Sequence, residues 1–192
     1  MEIVYKRVLL LMKLTFSFAA LAQNAIIETP SLLEDKIFRV NLLSPGVGLE
    51  LKTGKFSSLN LATGITYMGS VNGMDTVRDD GPSGWNYSFE PFIGVEQKFF
   101  YNLEKRNKKG KSTAFNSANF VNVRSLITGP PLVGNLKRQS DFNFMFVLSW
   151  GFQRSYNRIH FLLDAGPLFV FDAEGNSGFF PAFVRLNLGY NF

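Results

Sequence analysis

Gly178-Phe-Phe-Pro-Ala-Phe-Val-Arg-Leu-Asn-Leu-Gly-Tyr-Asn-Phe192 ends the chain, and its alternation decides the fold. From Ala182 on, the even positions are Ala182, Val184, Leu186, Leu188, Tyr190 and Phe192. The odd positions are Phe183, Arg185, Asn187, Gly189 and Asn191. A strict two-residue period is that of a β-strand with one apolar and one polar face. A strand ending on an exposed aromatic is an aggregation hazard in water. It reads instead as the closing strand of a barrel whose outer face meets lipid.

The segments upstream repeat the pattern. In 141–154, Phe142, Phe144, Phe146, Leu148, Trp150 and Phe152 share one phase. A tight turn at Tyr156-Asn157 leads into Ile159, Phe161, Leu163, Ala165, Phe169 and Phe171, set against His160, Leu162, Asp164 and Gly166. Trp85 to Tyr101 reads as a long strand, 59–68 as another, and 121–128 as a weaker one. Pro45-Gly46, between Phe38-Val40-Leu42 and Val47-Leu49-Leu51, is turn chemistry and makes a first hairpin of two short strands. With that hairpin the count is eight, the even number that single-chain outer-membrane barrels have. The expected fold is all-β, an eight-stranded antiparallel up-and-down transmembrane β-barrel with no helical period anywhere.

Composition narrows the function classes. Of 192 residues, 21 are Phe, 6 Tyr and 2 Trp, an aromatic content that favours strands. No apolar run reaches the eighteen or so residues of a spanning helix. The absence of cysteine excludes disulfides and thiolate metal sites, and a single histidine excludes a multi-histidine one. The formal charge of +5 is local to the leader and one short stretch, so it does not argue for nucleic acid.

Residues 1–22 have the form of a secretory signal peptide. Lys6, Arg7 and Lys13 form a basic n-region, Leu14 to Leu21 an apolar h-region, and Ala20-Leu21-Ala22 an A-x-A cleavage site. A membrane anchor fits less well, because Lys13 splits a short apolar segment. Met1 and Met12 are alternative starts. Residues 23–35 read as a lead-in of weak structure and 36–192 as the barrel domain, with nothing appended.

Volume decides which face points outward. A soluble eight-stranded barrel would turn its apolar face inward, but such an interior is only just filled by side chains or one small ligand. It cannot hold the aromatics of 142–152 together with Phe89, Phe99, Phe161, Phe169, Phe171, Tyr190 and Phe192. The aromatics therefore face lipid, where closure satisfies the backbone without water. Tyr67, Trp85 and Tyr87 would form an outer girdle, and Tyr101, Trp150, Phe152 and Tyr190 a periplasmic one.

Three stretches carry a resemblance: Tyr101-Asn-Leu-Glu-Lys-Arg-Asn-Lys-Lys-Gly-Lys111 with Asn116-Ser-Ala-Asn-Phe120, Arg39-Val-Asn-Leu-Leu43, and Leu186-Asn-Leu-Gly-Tyr-Asn-Phe192. They resemble small outer-membrane β-barrel proteins of Gram-negative bacteria. The resemblance implies secretion to the periplasm and residence in the outer membrane, with membrane lipid as surroundings. It also implies that Leu186, Leu188, Tyr190 and Phe192 are a C-terminal signal for the barrel-assembly machinery. It brings no catalytic residues and no cofactor.

The inward phase collects Arg39, Glu50, Lys52, Glu90, Glu96, Lys98, Arg124, His160, Asp164 and Arg185, nearly balanced in charge. Charges away from water need partners. The expectation is a paired polar network plugging the lumen of a monomer with a structural or surface-interaction role. A narrow pore or transporter for solutes or lipids is the alternative. A barrel-embedded lipid hydrolase or acyltransferase stands further off. His160 and Asp164 share a face, with Ser88 and Ser149 also inward, but four strand residues span about 13 Å and no triad contact follows.

The run Lys105-Arg106-Asn107-Lys108-Lys109-Gly110-Lys111 reads as a solvated turn rather than a nucleic-acid contact. Asp75, Asp79, Asp80 and Gly81 lack calcium-loop spacing, so no metal is expected. Leu132, Val133 and Leu136 could cap the lumen or serve adhesion. Arg185 should face an acid on the first or seventh strand.

Overall fold

Every alternating segment folds as a strand, because one face of each is apolar and the other polar along a pleated surface. The computed structural model describes residues 31–70, 86–135 and 140–192. Its strands are β1 (Lys36–Asn41), β2 (Gly46–Gly54), β3 (Ser57–Ser70), β4 (Asn86–Phe100), β5 (Asn119–Thr128), β6 (Val133–Gly134), β7 (Asn143–Tyr156), β8 (Ile159–Asp172) and β9 (Ser177–Asn191). They form one antiparallel sheet in which eight strands ring round in the order β1-β2-β3-β4-β5-β7-β8-β9. β9 returns to β1 through Arg39 opposite Asn191, Val40 opposite Tyr190 and Asn41 opposite Gly189. The two-residue β6 prolongs the β5 side against Ser88 and Phe89 of β4. The leader, the aspartates 75, 79 and 80, Trp85 and Leu136 lie outside the described residues.

The first hairpin is present, with the turn over residues 42–45. Its partner β3 comes very close: a Cβ on Gly64 would meet the Pro45 carbonyl oxygen and lie 2.6 Å from the Gly46 Cα. Glycine at both positions permits that approach. At the tight turn between β7 and β8, Asn157 adopts φ 51°, a conformation asparagine tolerates, and Tyr156 pairs with Ile159.

The facing follows the alternation. Phe38, Leu61, Phe89, Ile93, Trp150 and Val184 are exposed on the outer side. Arg39, Glu50, Glu96, Lys98, Gln153, His160 and Asp164 are buried inside. Two irregularities interrupt the register: β2 carries an extra residue between Lys52 and Gly54 opposite Ser57–Ser58, and β9 carries one between Phe180 and Phe183 opposite Gly166–Leu168. Pro181 and Ala182 sit at the β9 irregularity, both exposed, as expected for a bulge containing a residue without an N–H.

Two apolar clusters line the inside. Near the loop end, Leu126, Met145, Val147, Leu168 and Val170 pack with Phe92, Phe180 and Phe183. At the end that holds the first and last strand termini, Leu33, Phe100, Leu103, Ala118, Phe120 and Leu162 form the second cluster. This second cluster adds to one expectation and corrects another. The lead-in, read as weakly structured, buries Leu33 at its end. The basic turn is not a plain turn: it holds a six-residue helix, α1 (Leu103–Lys108), and a 3-10 turn over Ala114–Asn116. Leu103 anchors α1 inward, but a single helical turn and a half is too short to show a period in the sequence.

The wall of the ring is uneven. β2 pairs with β3 only as far as Gly46 opposite Gly64, whereas β3 continues to Ser70. β1 meets β9 only up to Asn41, with one more bond from the Leu42 N–H to the Leu188 carbonyl at 2.8 Å, whereas β9 extends to Ser177. Among the described residues, the upper parts of β3 and β9 therefore face each other over the short first hairpin. Three strand spacings of about 4.8 Å make this notch roughly 14 Å wide.

Candidate functional site: the charged interior

The polar residues of the inner phase assemble into two linked networks. Glu50 on β2 is the centre of the first. Its carboxylate accepts from Lys98 Nζ on β4 at 3.1 Å, from the Arg39 guanidinium on β1 at 3.4 Å, from Ser58 Oγ at 2.8 Å and from Asn116 Nδ2 at 2.8 Å. Lys98 also donates to Gln153 Oε1 at 2.8 Å, and Gln153 Nε2 to the Asn116 carbonyl at 3.0 Å. Arg39 Nε donates to Asn191 Oδ1 at 2.8 Å, and Asn191 Nδ2 to Ser155 Oγ at 3.0 Å. The ring is thus tied across its interior from the first strand to the last.

Arg185 on β9 is the centre of the second. Its Nη2 donates to Glu96 Oε1 on β4 at 2.6 Å and to Asp164 Oδ2 on β8, and its Nε donates to Asp164 Oδ2 at 3.0 Å. Asn122 Nδ2 reaches both acids, and Ser149 Oγ donates to Asn122 Oδ1. The expected acid on the seventh strand of the ring is Asp164; Glu96, on the opposite wall, adds a second.

The other expected interior residues are placed differently. Arg124 points inward and stacks its guanidinium on the Phe183 ring at 5.5 Å; among the described residues it has no hydrogen-bonded carboxylate. Glu90 is fully buried near the loop end and accepts from Ser88 Oγ at 2.6 Å. His160 is fully buried, and neither ring nitrogen has a hydrogen-bond partner among the described residues. With Ser149 donating to Asn122 and Asp164 held by Arg185, no Ser-His-acid relay is formed among these groups. Lys52 is a correction: it stands at the rim and pairs with Asp35, which is exposed, instead of joining the lumen network. It lies near the strand end, where an inward phase no longer means an enclosed position.

Sequence reasoning overlooked the neutral partners. Ser58, Asn60, Asn122, Gln153 and Asn191 all lie on the polar phase of their strands, so the alternation could have found them. Asn116 could not have been found that way. It comes from the connection between β4 and β5, which folds back into the end of the ring with Phe115 at φ 50° and Asn116 at φ 59°. Its Oδ1 accepts the Glu34 N–H at 2.9 Å, and Glu34 Oε1 accepts the Phe115 N–H at 2.6 Å. The basic run itself is solvated: Lys105, Lys108, Lys109 and Lys111 are exposed, and Glu104 pairs with Lys55 at 3.0 Å. At the chain end, the Phe192 N–H donates to the Phe38 carbonyl at 2.9 Å, and its ring packs on Tyr190 and Phe38.

Between the two networks lies a cavity of about 70 Å³. Arg39, Lys98, Arg124 and Arg185 line it, with Glu96 as the one acid, and Asn41, Asn60 and Asn187 add amides. Ser44 and Thr66, also in its lining, lie at the foot of the notch. No cluster of three metal-binding side chains occurs among the described residues.

Fold and site together define the chain as an all-β ring of eight antiparallel strands, apolar outside and charged inside. Comparison with protein-family models, with curated proteins and with solved structures gave no match.

Proposed function

We propose that the chain is a transmembrane β-barrel of the Gram-negative outer membrane, with a structural or surface-interaction role. The carrying observation is the outward face of the ring. Ile93 is 68% exposed, Val184 62% and Trp150 54%, and apolar residues recur on the outer phase of every long strand. In water, a surface of that extent would associate, since soluble monomers rarely expose apolar patches above a few hundred Å². In lipid it is solvated, and strand pairing supplies the hydrogen bonds that the bilayer cannot.

Dimensions and belts agree with this reading. β3, β4, β7, β8 and β9 run to 14 or 15 residues, more than the nine to eleven or so that span a bilayer. Tyr67 and Tyr87 lie toward the loop end, and Tyr101, Trp150 and Tyr190 toward the other; both sets are exposed, as interfacial girdles require. On this reading the strand termini and α1 face the periplasm, and Leu186, Leu188, Tyr190 and Phe192 are read by the assembly machinery. Purified protein should show heat-modifiable gel mobility and a sheet-rich circular dichroism spectrum in detergent. Folding in plain buffer without lipid or detergent would sink the proposal.

The cavity favours a second reading, a narrow path for solutes. The filled terminus end opposes it, because Lys98, Glu50, Gln153 and the Phe100–Phe120 cluster leave no described passage there. Planar bilayers should therefore show little stable conductance, and robust ohmic steps would promote the pore.

A further inference from the structure

The two networks leave one cation over. Arg39, Lys98, Arg124 and Arg185 face the region that Glu50, Glu96 and Asp164 serve. The remaining inner acids among the described strands, Glu90 and Asp172, lie six residues up β4 from Glu96 and eight residues along β8 from Asp164, about 20 and 26 Å along the strands, and neither lines the cavity. Arg39 and Lys98 are held by Glu50, and Arg185 by Glu96 and Asp164. Arg124 has the Phe183 ring and no hydrogen-bonded acceptor among the described residues, and it opens onto the cavity. Its cross-strand neighbour Glu96 is already held by Arg185, so Arg124 shares a counter-charge and has none of its own; a cation drawn out of bulk water and short of counter-charge is costly. Asn41 Nδ2, on the same lining, is a second donor with no acceptor among the described residues; only its Oδ1 is engaged, by Asn187 Nδ2 at 2.7 Å.

We propose that this cavity binds a phosphate-type oxyanion, admitted through the notch between β3 and β9. The chemistry fits: a guanidinium and an amide donor converge on a space walled by four cations and one acid. The size fits as well. About 70 Å³ exceeds the roughly 10–15 Å³ that one water needs and suits a group of a few heavy atoms. The notch decides the route, because the short first hairpin puts Asn41 and Ser44 at its lower edge. Two sources can deliver the group: inorganic phosphate from the aqueous side, or the phosphate of a membrane lipid entering sideways. The inorganic source needs only the folded ring; the lipid source rests on the membrane reading.

The test follows thermal unfolding of the detergent-folded full chain. One arm titrates inorganic phosphate against gluconate at matched ionic strength; the other adds dimyristoyl phosphatidate against dimyristoyl phosphatidylcholine. A saturable rise in Tm in the first arm, weakened at least tenfold in apparent affinity by Arg124→Met, supports the free anion. A rise confined to phosphatidate, with the same sensitivity, supports the lipid. Asn41→Leu decides the matter should Arg124→Met not reach the folded gel form. No shift beyond the controls in either arm, or shifts unchanged in the variants, overturns the site while leaving the membrane proposal standing.

Discussion

Arg185 on the last strand holds Glu96 on the opposite wall, Nη2 to Oε1 at 2.6 Å, while the same guanidinium grips Asp164 on the adjacent strand. One side chain thereby bridges β9, β8 and β4 through the middle of the ring. Removing it would leave two buried carboxylates with only amide donors. Arg185→Met should therefore lower stability by about 3–5 kcal/mol, read as a fall in the urea midpoint in detergent. Combining it with Glu96→Gln and Asp164→Asn should restore most of the loss, and a triple variant as unstable as the single one would show that the charges are not the cause.

Two lysines on the inward phase provide a contrast. Lys98 is fully buried between Glu50 and Gln153, whereas the Lys52 side chain is 31% exposed and pairs with an exposed Asp35. Lys98→Met should cost about 3–5 kcal/mol by stranding part of the Glu50 network. Lys52→Met should cost no more than about 1 kcal/mol, as exposed pairs do. Equal unfolding midpoints for the two variants would contradict the placement of Lys52 at the rim.

Outward substitutions test the membrane reading directly. Ile93 and Val184 lie on the outer phase, in the middle of their strands. Ile93→Arg should destabilise the lipid-folded protein by about 2–4 kcal/mol, the cost of a cation near the bilayer midplane. An aqueous protein would tolerate or prefer the charge, so improved folding yield in buffer would count against a lipid-facing surface.

Phe192 contributes one backbone bond and two ring contacts at the edge of the sheet. On the outer-membrane reading proposed above, its deletion should impair arrival in that membrane more than it lowers the stability of protein already folded. Fractionation of cells expressing the deletion, beside urea unfolding of refolded protein, checks both halves. Normal accumulation in the outer membrane would remove the assembly role.

Facing was legible residue by residue. Phe142 to Phe152, Phe161 to Phe171 and Leu186 to Phe192 reveal their phase because a strand alternates with a period of two, so each residue's side follows from its neighbours. The first hairpin was legible for the same reason, helped by Pro45 and the glycine after it. The connection between β4 and β5 was not. Its lysines read as solvent, which they are, but Leu103 and Asn116 fold back by contacts that no local period encodes.

Determined by the sequence alone, then, are eight alternating strands, the phase of each, and the list of charges that fall on the inner phase. Those are consequences of chain-local geometry. The tertiary structure decided which charge meets which. It set Arg185 on Glu96 across the ring, turned Lys52 out to Asp35, and left Arg124 over the cavity below the notch. Such pairings depend on register and stagger between strands far apart in the chain, and on how far the first hairpin rises beside β3 and β9. Alternation within one strand carries no information about either.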